Sequence, residues 1–400
     1  MLRRFFLLCS SLFSTHLGAL EIELRYEYDT SGFFDQVGSR EAMRACADFF
    51  EELITDELSE INAGTSGNEA NTWAARPLNP STGARLNLVD LVVPENTLII
   101  YPGARDLSGG SAGLAATGFS VNGFQPFFDQ VTMRGQSGAG DSPASDFGPW
   151  GGSIAFDTRL SSGSPRVWSF SLTGQVPGTT NFVGVALHEI CHLLGIGASE
   201  SWSDQSNDQF FFEGPASLAA NDGTRPKVTG DKGHWATQAP GPYRSDAFGS
   251  FGTPHGLEQQ ALMNTEIVSS EGNLSVITDL DLASLIDIGW QVQIPASGSI
   301  TVAGGQATFR IPTNTAFSYR VQQGDLIAPF SDLGPTIAGD GTVKTVVSPT
   351  APNPKNFYRF VASRNLAAPA PDALRLRQDA PGMVLQSHEW AWSSKGCCAH

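Results

Sequence analysis

Residues 186–202 read ALHEICHLLGIGASESW, and within them His188, Glu189 and His192 stand in the spacing H-E-x-x-H. On an α-helix, residues four apart lie one turn above each other, so the imidazoles of His188 and His192 can converge on one metal ion. Glu189 projects beside them, placed to take a proton from a water at that metal and pass it to a leaving amine. Zinc suits such a site, because it lowers the pKa of its water from about 15.7 to about 7 and polarises a carbonyl. A catalytic zinc takes three protein ligands and keeps a fourth position open. Ala198 stands where a third histidine would continue the series, so that ligand must come from elsewhere. His234 in DKGHWATQ and His255 in GTPHGLEQQ are the two downstream candidates, whereas His388 in HEWAW lacks a second histidine four residues later.

A rigid platform is needed to aim these side chains. Phe182, Val185, Ile190, Leu193 and Leu194 give the segment an apolar surface that would bury it as a core helix, and Gly195 permits the left-handed turn that ends one. Upstream, LEIELRYEYD alternates like a strand, and Ser39 precedes REAMRACADFFEELITDELSEI, whose apolar spacing predicts a long amphipathic helix. From Asn71 to about Phe182, short β-like runs such as LVDLVV, TLIIYPG and SIAFD alternate with glycine-rich loops, which predicts a sheet. Residues 196–274 read as mostly irregular, and TDLDLASLIDIGW as a compact helix stopping at Gly289. Beyond Pro295, runs such as GSITVAGGQATFRIP and NFYRFVAS predict a small all-β module. The organisation expected is a signal peptide at 1–19, a catalytic domain at 20–294, the β module at 295–364 and a proline- and alanine-rich, disordered tail at 365–400.

Composition narrows the function classes. Arg3 and Arg4 followed by the apolar run Phe5–Phe13, with Leu17 and Ala19 before a cleavage point, read as a secretory signal, so export is expected. The formal charge of −16 becomes −18 when that segment takes its two arginines away, which argues against nucleic acid as a partner. Acidity of this size suits a solvated extracellular surface and calcium binding through carboxylates, with Asp157 as a possible calcium ligand. No later segment is apolar for long enough to span a bilayer. Cys46 and Cys191 are the body's sparse thiols, either paired or separately buried, so no disulfide framework supports the fold. Oligomeric state is left open.

The combined motifs resemble the metzincin clan of zinc endopeptidases, especially its leishmanolysin-like and bacterial secreted members. His188, Glu189, His192 and Gly195 match the clan's series, and Ala198 departs from it. In leishmanolysin-like members the third histidine is displaced by a long insertion and appears as HW before an LM methionine turn. Here GHW at His234 and QQALMNTEI at Met263 are similar. The resemblance implies His234 as third ligand, with His255 its rival, and Met263 as a hydrophobic floor that does not ligate. It also implies an α+β catalytic domain with a twisted mixed sheet, one catalytic zinc, and a peptide or protein substrate. Closing the 42-residue excursion from His192 to His234 costs only about 0.6 kcal/mol more per doubling of loop length. Three other readings compete with this one. ESWSD, residues 200–204, fits the downstream E-x-x-x-D of gluzincins but lies too close to His192 for a returning helix. GGSAG, residues 109–113, fits G-x-S-x-G without the strand and helix a nucleophile elbow needs. A secreted binding or adhesion protein with non-catalytic zinc is the third.

Overall fold

The computed structural model describes residues 20–65, 70–108, 110–236, 243–244, 251, 253, 257–267, 272–295, 298–313, 317–324, 330–340, 342–349, 357–364, 386–393 and 397–399. The expected signal segment and His255 lie outside them. Six strands, β1 (Glu21–Leu24), β2 (Thr72–Ala75), β3 (Leu88–Val89), β4 (Thr97–Arg105), β5 (Ser111–Gly123) and β6 (Gly151–Asp157), run in the order β1-β4-β6-β5-β2-β3. The sheet is mixed: β1, β4 and β6 are parallel, and β5 is antiparallel to β6 and β2. The near-continuous burial of β4 and β6 is what strands covered on both faces require.

Two helices on one side supply the larger core. α1 (Ser39–Leu53) buries Ala42, Met43, Cys46, Ala47, Phe49, Phe50 and Leu53 at the expected three- and four-residue spacing. It stops well before Ile61, where the sequence pattern would have carried it. Ile54 turns to an extended conformation and bridges Val292, and Asp56 accepts the amide of Gln291, so tertiary pairing overrides helix propensity here. α3 (Phe182–Leu193) is buried along its whole length. Cys46 and Cys191 sit in this core as free, buried thiols. Across the sheet, α2 (Gln125–Met133), absent from the sequence reading, packs Phe127 and Val131 against Trp73 and Trp150. Its signal was Pro126 in the first turn, followed by an apolar pair four apart.

The stretch read as irregular holds two short helices, α4 (Glu200–Asp204) and α5 (Pro215–Ala220). α6 (Asp279–Asp287) follows, opened by a capping box between Thr278 and Asp281. The all-β region comprises two small sheets around Phe309, Tyr319, Val321 and Phe360. Its first strand, Gln293–Pro295, straddles the expected boundary at 294/295. The expectation of a disordered tail fails for its last part, because Gln386–Ser393 and Cys397–Ala399 are strands that pair antiparallel with β5. The alternation in QSHEWAWS was a strand signal hidden behind the proline- and alanine-rich segment before it.

Candidate metal centre

α3 can lie against the sheet because the facing residues are small. A Cβ at Gly113 of β5 would stand 2.6 Å from Glu189 Oε1 and 2.8 Å from Val185 Cγ1, and one at Gly152 would stand 2.6 Å from Leu193 Cδ2. Any larger residue at 113 would push the helix or Glu189 away. The helix starts where Asn181 accepts the amide of Gly184 at 3.0 Å. It ends where Gly195 takes φ +107°, in a position where a side chain would also strike the Phe147 ring.

His188, Glu189 and His192 are completely buried, and His234 is nearly so. The three histidines form a group that could hold a metal ion, with the donor atoms all within 4.8 Å of one another. His188 Nδ1 donates to the Leu262 carbonyl and His192 Nδ1 to the Ile196 carbonyl, each at 2.8 Å. A carbonyl only accepts, so both rings carry their proton on Nδ1 and present an Nε2 lone pair. His192 Nε2 lies 3.1 Å from His234 Nε2. His188 Nε2 has no hydrogen-bond partner among the described residues. Burial pushes the pKa of His188 down to about 3 and that of His234 to about 4, and holds that of His192 well below its usual value. All three are therefore neutral near pH 7, the form that ligates. Three nitrogens on a tetrahedral zinc at 2.0–2.1 Å are roughly 3.3 Å apart, so small ring movements would seat one. The donor set fits a zinc ion.

The path that delivers His234 is visible in the backbone. Gly197 takes φ +72°, and a Cβ there would fall 2.0 Å from the carbonyl oxygen of Gly233, so only glycine lets the turn after α3 pass under the segment carrying His234. Thr229 accepts the His234 amide through Oγ1 and donates its own amide to the His234 carbonyl. Trp235 points into the core, where it packs on Trp202 and Phe212. It anchors the His234 segment to that core.

Asp281 ties this segment to the turn at Met263. Its buried carboxylate accepts from Trp235 Nε1 at 3.1 Å, the Leu262 amide at 2.8 Å, the Met263 amide at 3.2 Å, and both the amide and hydroxyl of Thr278. The Met263 carbonyl in turn accepts the Trp235 amide at 2.9 Å. Met263 is fully buried beside these groups. One carboxylate thus holds the carbonyl-bearing segment that orients His188 and the segment that carries His234. Sequence reasoning missed Asp281, although the spacing T-x-x-D at the head of α6 marked it as a capping residue.

Other sequence candidates fall elsewhere. Asp157 is a correction: its carboxylate accepts the amides of Leu107 and Arg159 and pairs with Arg166 at 3.4 Å, so a guanidinium stands where calcium was expected. Glu200 is exposed in the first turn of α4, away from the histidines, and Ser111 opens a strand instead of an elbow. Among the described residues, the histidine trio is the sole cluster with metal-ligand geometry, and no helix is long and apolar enough to cross a membrane. Comparison of the chain with family models, curated proteins and solved structures returned no match.

Proposed function

We propose that the chain is a secreted zinc-dependent endopeptidase, with His188, His192 and His234 as zinc ligands and Glu189 as general base and then acid. The observation that carries this reading is the convergence of three buried, neutral histidines, two of them on the helix that carries Glu189 and oriented by backbone carbonyls. Zinc bound there would supply Lewis acidity, making a water more acidic and polarising a peptide carbonyl. Leu262 and Ile196 keep the ligating tautomer, and Asp281 keeps the third ligand's segment in register with the first's. Glu189 takes the proton of the attacking water and delivers it to the departing amine. Three protein ligands leave a position for water, which favours catalysis over a purely structural zinc.

The test is Glu189→Gln in the full chain. The amide keeps the side-chain shape and cannot accept the proton, so the variant should hold one zinc and hydrolyse an unstructured reporter peptide at least 10²-fold more slowly. Wild-type hydrolysis should vanish with a chelator and return with zinc. Near wild-type turnover in the variant would remove Glu189 from the mechanism. Metal retention with no hydrolysis by the wild-type chain would favour the binding-protein reading.

A further inference from the structure

The last two described strands do something a disordered tail would not. β5 is the strand whose Gly113 lies against Glu189, and its two edges are used differently. One is covered by β6 over Gly113–Ala115 and by β2 over Phe119–Asn122. The other is covered by Gln386–Ser393 along 116–123 and by Cys397–Ala399 along 111–113. Three intervening residues are too few to carry the chain from one edge of β5 to the other, so both segments lie on one edge, opposite β6 at Gly113 and opposite β2 at Phe119. Between Ser393 and Cys397 the chain advances four residues while β5 advances three, so the segments keep nearly one register. Among the described residues, no strand pairs with their far side.

An open strand edge presents unpaired N–H and C=O groups, and an extended peptide can add to it as a further strand. Neighbouring strands lie about 4.8 Å apart, so a peptide on this edge would pass one strand spacing from Gly113 and hence beside Glu189. We infer that residues 386–393 and 397–399 are a built-in competitor, occupying the outer edge of β5 in place of an incoming extended peptide. This inference rests on the peptidase reading for the identity of the incoming peptide as substrate. The resident strands are held by one ladder on one side, so their release breaks no other pairing of the sheet. A segment tethered to the same molecule competes at an effective concentration on the order of mM, enough to mask the edge from dilute peptide.

The experiment uses the full chain carrying Trp390→Pro or Ala391→Pro. Successive strand amides face opposite sides, so one of these two neighbours must donate toward β5, and proline removes that donor. Ala391→Gly serves as a milder variant that keeps the donor and only weakens the strand. Three quantities are read: hydrogen exchange of the β5 amides, KM and kcat for an unstructured reporter peptide, and binding of that labelled peptide to the same chains also carrying Glu189→Gln. At least one proline variant should show faster exchange between Ser111 and Gly123, and a KM lower by roughly tenfold or more with kcat little changed. A synthetic peptide spanning residues 386–399 should restore protection and raise KM again. Faster exchange with unchanged KM and unchanged peptide binding would overturn the inference, leaving the two strands as a structural edge cover. Unchanged exchange in all three variants would overturn it as well. Tighter peptide binding without any hydrolysis would uphold the docking edge while removing the peptidase reading, so the two failures are distinguishable.

Discussion

Two buried polar clusters flank the same sheet, and they differ in what stands at their centre. Around Asp157 the centre is filled. Arg166 pairs with its carboxylate, donates to the carbonyl of Gly110 and to Thr180 Oγ1, and both side chains are almost completely buried. Around His188, His192 and His234 three ring nitrogens face inward, and those of His188 and His192 are left as acceptors by Nδ1 donation to backbone carbonyls. A cluster that contains its own cation is closed and structural, whereas one that aims neutral lone pairs at a common point is arranged for a cation from solution. A buried aspartate at a strand end and a buried histidine on a helix look equally suggestive in sequence. Only the partner across the gap separates them.

The comparison breaks most visibly if the histidines do not act as one site. Removing a ligand should cost more than removing a group behind it, and the latter already costs about 10 to 100-fold in metal affinity. His234→Ala should therefore be metal-poor and inactive at limiting zinc, while His255→Ala retains both metal and activity. A zinc titration of the two variants checks this, and the reverse pattern would pass the third-ligand role to His255.

The closed cluster predicts the opposite phenotype. Arg166→Ala leaves Asp157 buried without its counter-ion, a loss of about 3–5 kcal/mol of stability. Zinc stoichiometry of the protein that remains folded should be unchanged. Denaturant unfolding paired with metal analysis decides it, and a variant that loses zinc at wild-type stability would show that the two clusters are one.

Asp281 sharpens the contrast, because it serves the open cluster without facing it. Asp281→Asn replaces one acceptor oxygen by a donor among groups that all donate, leaving at least one buried N–H or O–H without a partner at about 1–3 kcal/mol. Since the Trp235 and Leu262 segments loosen together, zinc affinity should also fall by about 10 to 100-fold. Both changes are measurable on one preparation by unfolding and competitive chelation. Lower stability with unchanged affinity would make Asp281 a fold residue only.

How much of this the sequence carried depends on distance along the chain. The His188, Glu189 and His192 set was legible because one helical turn fixes the geometry, and α1, α3 and α6 were legible from apolar spacing. His234 came from its resemblance to the GHW form, since nothing local says that a loop returns. Asp281, Gly113 and Gly197 were not legible as site residues. Their importance is a close approach to something far away in sequence: the Trp235 indole, Glu189 and the Gly233 carbonyl, respectively. The Asp157 assignment failed for the same reason, because Arg166 reaches it through a loop whose path no periodicity encodes. The strand 386–393 was missed because composition averaged over the whole tail outweighed its own alternation.

The smallest effect expected concerns a third kind of covered charge, acids that accept backbone amides. Asp56 accepts the Gln291 amide, and Asp146 accepts the Phe147 amide close against Gly289. Neither is ion-paired among the described residues. Burial raises Asp56 to about 6 and Asp146 to about 7, the latter helped by the charge of Asp56. A carboxylate whose folded pKa lies above its unfolded value of about 3.9 favours the fold while protonated. That contribution is complete below about pH 4 and is lost as the pH rises through about 6 to 7. Asp146→Asn keeps the Oδ1 acceptor and cannot ionise, so it should match the wild type near pH 4 and be the more stable protein at pH 8. A difference of about 1 kcal/mol would appear as about 2–4 °C in Tm for a domain of this size. Thermal unfolding of both proteins across that range is the measurement, with zinc present at saturation so that the histidine centre does not add its own pH dependence. A loss of Tm of equal size at both pH values would mean that Asp146 contributes through its hydrogen bond alone, and its charge would then belong with the closed cluster, already compensated in the fold.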